Sequence, residues 1–256
     1  MRECSVLRSS LFLRSSVLQS VPRRRALFTI LTLVIGLTWG LNVCSVAQTL
    51  GATSAAKPTE LRIANAPIPM RVLVQSPAET RTELQIVCLF RSQPSNTLHG
   101  SLLEINEKLN GLLNQIRTSS LFRGDLGETL LIGPPAGGLG AKRVLIIGLG
   151  DSETFVPERM ELVGAVAYRE ASRLGVAHPF FAPTVIDGGV TTSAPEQVAE
   201  QVIRGFLRAA RTEKVVQDGG ASGGTVIQEL TFLAGPQHAA DAQHGVEKAI
   251  VADAAK

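Results

Sequence analysis

FRGDLGETLLIGPPAGGLGAKRVLIIGLG, residues 122–150, is the stretch whose reading decides the fold. Gly124-Asp125-Leu126-Gly127 is turn chemistry, because glycine and aspartate tolerate the backbone angles that tight turns require. Thr129–Ile132 is a short apolar run of strand length. Pro134–Gly140 is a loop, and Lys142-Arg143 is a basic pair placed just before the next element. Val144–Ile147 is continuously apolar rather than alternating, the pattern of a strand buried on both faces of a mainly parallel sheet. Gly148-Leu149-Gly150 ends that strand in a tight turn.

Working outward towards the amino terminus, Leu84–Phe90 (LQIVCLF) is a second apolar, β-branched run of strand length. Leu61–Ile63 and Met70–Gln75 predict two more strands, separated by a turn at Pro67 and Pro69. Between the Leu84 strand and the deciding stretch, Leu102, Ile105, Leu109, Leu112, Leu113 and Ile116 recur at helical spacing. One helix over 102–116 with one apolar face is predicted.

Towards the carboxyl terminus, Pro157 is expected to open a helix as its first residue, where a missing N–H costs nothing. Glu158 would sit in its first turn, and Gly175 would end it. Pro179–Ile186 predicts a strand broken at Pro183. Pro195–Ala210 predicts a helix with Val198, Val202, Ile203, Phe206 and Leu207 facing inward. Asp218–Gly224 is a loop, Thr225–Leu233 a strand, and Pro236–Ala252 a last helix. Strands alternating with helices predict an α/β fold, a layered sheet with helices on both faces.

The first 47 residues read as a leader rather than as fold. Six arginines, three of them at 23–25, precede the uncharged apolar run Ala26–Val43, and Ser45-Val46-Ala47 places small residues before Gln48. Basic, apolar, small-x-small is the order of a secretory signal. Cleavage is expected after Ala47, giving a periplasmic or secreted protein; an uncleaved membrane anchor over 26–46 is the alternative. Residues 48–60 read as a flexible linker, and 61–256 as the domain. The membrane is expected to matter only through this N-terminal segment.

The whole chain carries 25 basic and 22 acidic residues, but the part after Ala47 carries 19 and 21, a net charge of −2. The basic character belongs to the leader and gives no basic face for nucleic acid. Cys88 is the one cysteine after Ala47, so no internal disulfide scaffold is available there. It lies mid-strand, where a thiol is ordinarily inert packing.

Gly148-Leu149-Gly150 lacks the third glycine of a dinucleotide fingerprint, since Glu153 occupies that position and would repel a pyrophosphate. Gly137–Gly140 and Gly219–Gly224 could cradle a phosphate through backbone N–H groups, but neither is followed by a P-loop Lys-Ser/Thr. His99, His178, His238 and His244 form no zincin pair, and Asp187, Asp218, Asp241 and Asp253 read as scattered surface carboxylates. Lys142-Arg143 reads as an edge pair that forms salt bridges. No catalytic, cofactor-binding or metal-ligating residue is assigned, and no cofactor is expected.

The Gly-Asp-Leu-Gly-Glu-Thr-Leu-Leu strand, the loop and the Ala-Lys-Arg-Val-Leu-Ile-Ile-Gly-Leu-Gly run over 124–150, followed by Pro157-Glu158-Arg159, resemble the N-terminal domain of the leucyl aminopeptidase (M17 metallopeptidase) family. The resemblance extends over roughly 72–253. Val156 stands where the family has Thr before Pro-Glu-Arg. The resemblance implies a three-layer α/β/α sandwich, macro-domain-like, with a mixed sheet. In the family a C-terminal domain supplies the two metals, and its Asn-Thr-Asp-Ala-Glu-Gly-Arg segment does not occur here, so no catalytic residue carries over. The expectation is an exported, non-catalytic binding or oligomerisation module that associates with itself or with a protein partner. One alternative is a subunit docking onto a separately encoded catalytic chain. The other is a macro-like nucleotide- or peptide-binding protein, with its crevice near Gly133–Gly140 and Gly148–Asp151 at the carboxyl ends of the strands.

Overall fold

The deciding stretch forms an antiparallel strand pair at one edge of the sheet. In the computed structural model, which describes residues 59–93, 97–221 and 223–255, Thr129–Ile132 (β4) runs against Val144–Gly148 (β5), with Leu130 opposite Ile146. The leader at 1–47 and most of the 48–60 linker lie outside the described residues. Upstream lie β1 (Glu60–Ile63), β2 (Met70–Val74) and β3 (Gln85–Leu89). Downstream lie β6 (Phe180–Ala182) and β7 (Leu230–Ala234). The seven form one sheet in the order β1-β2-β7-β6-β3-β5-β4. The five inner strands are mutually parallel, and β1 and β4 close the edges antiparallel.

Side-chain alternation sends each strand's residues to two separate cores. Ile86, Cys88, Leu145, Ile147, Phe181 and Phe232 face one, and Val87, Leu89, Val144, Ile146 and Leu233 face the other. The smaller core is covered by α1 (Gly100–Lys108) and α2 (Leu112–Thr118), and the larger by α3 (Arg159–Arg173), α4 (Pro195–Asp218) and α5 (Ala239–Ala254). The expected α/β/α sandwich with a mixed sheet is the observed one. β3 and β5 are buried at every position, as their apolar runs predict, and the burial in β3 includes the polar Gln85.

Four local readings are corrected. The helix expected over 102–116 is two helices, because Asn110 and Gly111 both adopt positive φ, at 54° and 81°. The side-chain oxygen of Asn106 then accepts from the amide of Asn114 at 3.0 Å and restarts the chain as α2. Pro157 opens a turn of i→i+3 hydrogen bonds rather than the helix itself, and α3 begins two residues later. The strand expected over 179–186 is only three residues long, because Pro183 has no N–H to pair. The strand expected from Thr225 starts at Leu230; before it, Thr225 and Gln228 are held by the carbonyls of Ser172 and Ala177.

The helical layer on the larger core is packed backbone to backbone. A Cβ on Gly164 of α3 would land on the Val202 carbonyl oxygen, and one on Gly205 of α4 on that of Glu161. Gly245 of α5 approaches the Glu196 carbonyl in the same way. Glycine accepts a conformational penalty of about 1 kcal/mol in a helix interior, so these three positions exist for the close approach they permit.

Candidate functional site

Parallel strands leave the carbonyls at their carboxyl ends facing a common edge, and the helices that follow them begin there. At that edge, beyond Val74 of β2, Ala182 of β6 and Ala234 of β7, lies a crevice of about 380 Å³. Its floor is apolar, built by Val74, Ala182, Val185, Val198, Phe232 and Leu233. Its rim carries the polar groups of Ser76, Ser101, Glu104, Thr184, Asp187 and His238. The helices α1, α4 and α5 each contribute first-turn or N-cap residues to it.

The segment after β6 shapes the site. The Thr184 side-chain oxygen accepts from the Cys88 amide at 2.9 Å and donates to the Cys88 carbonyl at 2.8 Å. It thus completes the pairing of β3 that Pro183 interrupts. Its φ of 47° is unusual for a β-branched residue, and the paired hydroxyl holds it there. Three residues on, the Asp187 carboxylate accepts from both the amide and the hydroxyl of Ser101, and the Asp187 carbonyl accepts from the His99 amide at 2.9 Å. Asp187 therefore caps α1 from another segment of the chain; His99, at the N-cap position itself, provides no side-chain cap. Glu104, one turn into α1, accepts from the Ser76 hydroxyl at 2.7 Å and so ties α1 to the end of β2.

The sequence-predicted candidates are dispersed. Gly133–Gly140 lies at the opposite edge of the sheet, since β4 ends where β5 begins; the expectation that it borders the crevice is corrected. Gly148–Asp151 is at the carboxyl edge but does not line the crevice. A Cβ on Gly148 would collide with the Asp125 carbonyl, so this glycine permits a close backbone crossing. The Asp151 carboxylate accepts from the Glu153 amide and from Gln93, which hold its pKa below the usual carboxylate range. Arg143 pairs with Glu83 at 3.3 Å and donates to the Leu174 carbonyl, as expected of an edge pair.

The histidines do not converge. His244 faces Glu196 at 3.2 Å, His178 lies 4.0 Å from Glu229, and the His99 ring bonds Thr97. Among the described residues no group of three or more His, Cys, Asp or Glu side chains is placed to hold a metal ion. Cys88 is fully buried, and that burial pushes its thiol pKa far above the usual range. Asp187, read from sequence as surface, is a half-buried cap. The turn signal Asp187-Gly188-Gly189 was visible; the helix it caps, some 86 residues away, was not.

The strand order, the two helical layers and the crevice at the carboxyl edge define a macrodomain-like α/β/α protein. The Oceanobacillus iheyensis macrodomain with MES bound matches it with a TM-score of 0.52 and 14% identity, covering 77% of this chain and all of that one. The same macrodomain with ADP gives 0.51 and 13% identity, covering 77% of this chain and 100% of that one. A tomato leucine aminopeptidase mutant gives 0.51 and 18% identity, over 73% of this chain and 37% of that one. More particularly, residues 86–212 match the model of the cytosol aminopeptidase family, N-terminal domain. Among curated relatives, a probable cytosol aminopeptidase of Burkholderia mallei is 27% identical over 133 residues, 52% of this chain and 24% of that protein. One from Alkaliphilus oremlandii is 26% identical over 139 residues, 54% of this chain and 27% of that one. The chain thus spans about a quarter of the length of these relatives.

Proposed function

We propose that this protein is an exported, non-catalytic binding module of the aminopeptidase N-terminal type, and that its working surface is the crevice at the carboxyl edge of the sheet. The crevice carries the reading: it is concave, floored by apolar side chains and rimmed by a few polar groups, the usual composition of a small-ligand site. Its rim groups hold the ends of β2, β3 and α1 in place, so the site is preformed.

The test is a pair of measurements on the purified chain. Hydrolysis of a leucine chromogenic substrate is followed with added Mn²⁺ or Zn²⁺, and thermal unfolding is followed with a panel of small ligands. No turnover, with a rise in Tm for at least one ligand, is the expected result, because a ligand of the native state stabilises it by mass action. Metal-dependent turnover that survives further purification overturns the non-catalytic reading. Export is tested by N-terminal sequencing of extracytoplasmic protein: Gln48 as the first residue is expected, and retention in the membrane favours the anchor over 26–46.

A second reading, self-association, has its own observation. β4 is an edge strand with Leu131 42% exposed, and Leu126 and Leu162 are exposed nearby, 38% and 40%. Isologous pairing of a short edge with its copy would cover them. Light scattering decides it: a dimer or larger oligomer that Leu131→Lys dissociates is expected, and a monomer overturns it. A separately encoded catalytic chain would instead appear as a co-purifying metallopeptidase.

A further inference from the structure

The two antiparallel edges of the sheet are finished differently. β1 is blunted by charge, with Glu60 paired to Arg62 at 2.9 Å and to Arg71 at 3.2 Å. β4 carries no charged residue. Its Leu131 stands opposite Leu145, whose side chain enters the larger core, so Leu131 faces that side of the sheet. It is exposed there. α4 packs between α3 and α5, which leaves the far side of α3, beside β4, without a helix among the described residues. That far side is a stripe of Arg159, Leu162, Val166, Arg169 and Arg173, spaced at three and four residues. A Cβ on Gly127 would lie 3.7 Å from Leu162, and one on Gly150 would lie 3.6 Å from both Leu126 and Arg159. The stripe therefore runs along the loop that leads into β4, and Leu126, Leu131 and Leu162 form the apolar part of one shelf.

Charge identifies the occupant. Arg169 has no described hydrogen bond or ion pair, and the described bonds of Arg159 go to the Asp151 carbonyl and the Thr154 hydroxyl. The acids of α3 do not offset them: Glu161 pairs with Arg208 on the α4 side, Glu170 with Arg173, and Glu158 stands alone at the helix start. We propose that the shelf docks an amphipathic helix of another protein, apolar on one face and acidic along its flanks, lying beside α3 as the missing member of that layer. From Arg159 to Arg173 the stripe is about 21 Å long, so the partner helix needs about 14 residues. A second copy of this chain complements the shelf poorly. Isologous pairing brings the arginines of one α3 towards those of the other. α1, which combines the exposed Leu103, Glu104 and Glu107, has only nine residues. The inference is thus the rival of the self-association reading for the same leucines, and it is independent of the crevice. The leucines between the arginines favour a protein partner over DNA, which offers no apolar face to cover them.

The experiment is fluorescence anisotropy of the full chain with labelled probes, alongside light scattering of the chain alone. The probes are a capped helical peptide of about 14 residues with a leucine stripe flanked by glutamates, its twin with lysines for the glutamates, a scrambled glutamate peptide and a short DNA duplex. The glutamate helix is expected to bind, and the lysine twin to bind about tenfold more weakly or worse. Arg169→Glu is expected to weaken the glutamate helix about fivefold and Leu162→Asp about tenfold, both with unchanged Tm. Equal binding of the lysine or scrambled peptide, unchanged binding in both variants, binding of DNA in place of the peptide, or no binding of the glutamate helix each overturns the proposal. A dimer that both Leu131→Lys and Leu162→Asp dissociate places a second copy on the shelf and also overturns it. A monomer that binds the glutamate helix supports it and overturns self-association alone.

Discussion

The hydroxyl of Thr184 stands in for a strand residue opposite Cys88, accepting from its amide and donating to its carbonyl across a separation of 96 positions in the chain. This one side chain lets β6 stop after three residues without leaving the end of β3 unpaired. The freed segment can then turn into Asp187, the cap of α1, and in doing so forms one wall of the crevice.

Thr184→Val keeps the shape and removes the hydroxyl. It leaves a buried N–H and a buried C=O without partners, at about 1–3 kcal/mol for such groups. A loss of about 2 kcal/mol, or roughly 4–8 °C in Tm for a domain of this size, is expected in thermal or urea unfolding. Thr184→Ser keeps both hydrogen bonds and should stay within about 1 kcal/mol of the parent; equal losses in the two variants would remove the hydroxyl from the explanation.

Asp187→Ala removes the cap of α1, an effect typically of about 1 kcal/mol. Gly100→Ala attacks the same junction from the other side. Its Cβ would sit 2.5 Å from the Asp187 carboxylate, at a φ of 47° that favours glycine. Both variants are expected to raise amide exchange in α1 with little change in α4, measured by hydrogen exchange. Uniform changes across the domain would argue against a local cap.

Gly205→Ala should destabilise by about 2 kcal/mol even though alanine is the better helix former. The gain of about 1 kcal/mol in propensity is outweighed by the forced separation of α4 from α3 at the Glu161 carbonyl. Gly164→Ala addresses the same crossing. The double variant should therefore lose less than the sum of the two, because a helix pair already pushed apart accommodates the second methyl. Strict additivity in chemical denaturation would show that the two glycines act independently.

Burial raises the thiol pKa of Cys88, and burial, with a smaller contribution from Glu213, raises the phenol of Tyr168. In both cases the unfolded state loses its proton at lower pH than the folded state. The stability they contribute is present below the unfolded values, about 8.5 for a thiol and 10 for a phenol, and declines as pH rises above them. A fall of up to about 1.4 kcal/mol per pH unit from Cys88 alone is expected above pH 9. Cys88→Ala should abolish the part of the fall that begins below pH 10. The same burial predicts that Cys88 resists alkylation until the domain unfolds, which site-resolved mass spectrometry measures.

Much of this architecture is legible in the chain because it depends on local pattern. The apolar runs at 86–90 and 144–147 have the length and β-branched composition of strands buried on both faces, and Pro195 with the 3.6-residue spacing of Val198, Val202, Ile203 and Phe206 marks a helix and its inner face. The order of turn, strand, loop and strand over 124–150 carries the family likeness. Hydrophobic burial acts on every residue of such a run, so the signal accumulates along the sequence.

The crevice is different. Glu104, the pair Thr184 and Asp187, and His238 come from three separate segments, and none has a neighbour in sequence that announces it. Asp187 reads as one more surface carboxylate until the fold brings Ser101 against it, and Thr184 as an ordinary polar residue after a proline until Cys88 lies opposite. Even the break between α1 and α2 turns on two residues, Asn110 and Gly111, inside an otherwise continuous apolar periodicity. The sequence by itself determined the layers, because burial is a property that each residue expresses in its own type and spacing. Only the tertiary structure decided the site, because a hydrogen bond between residues 80 or 90 positions apart depends on relative position, which the packing of the whole sheet sets.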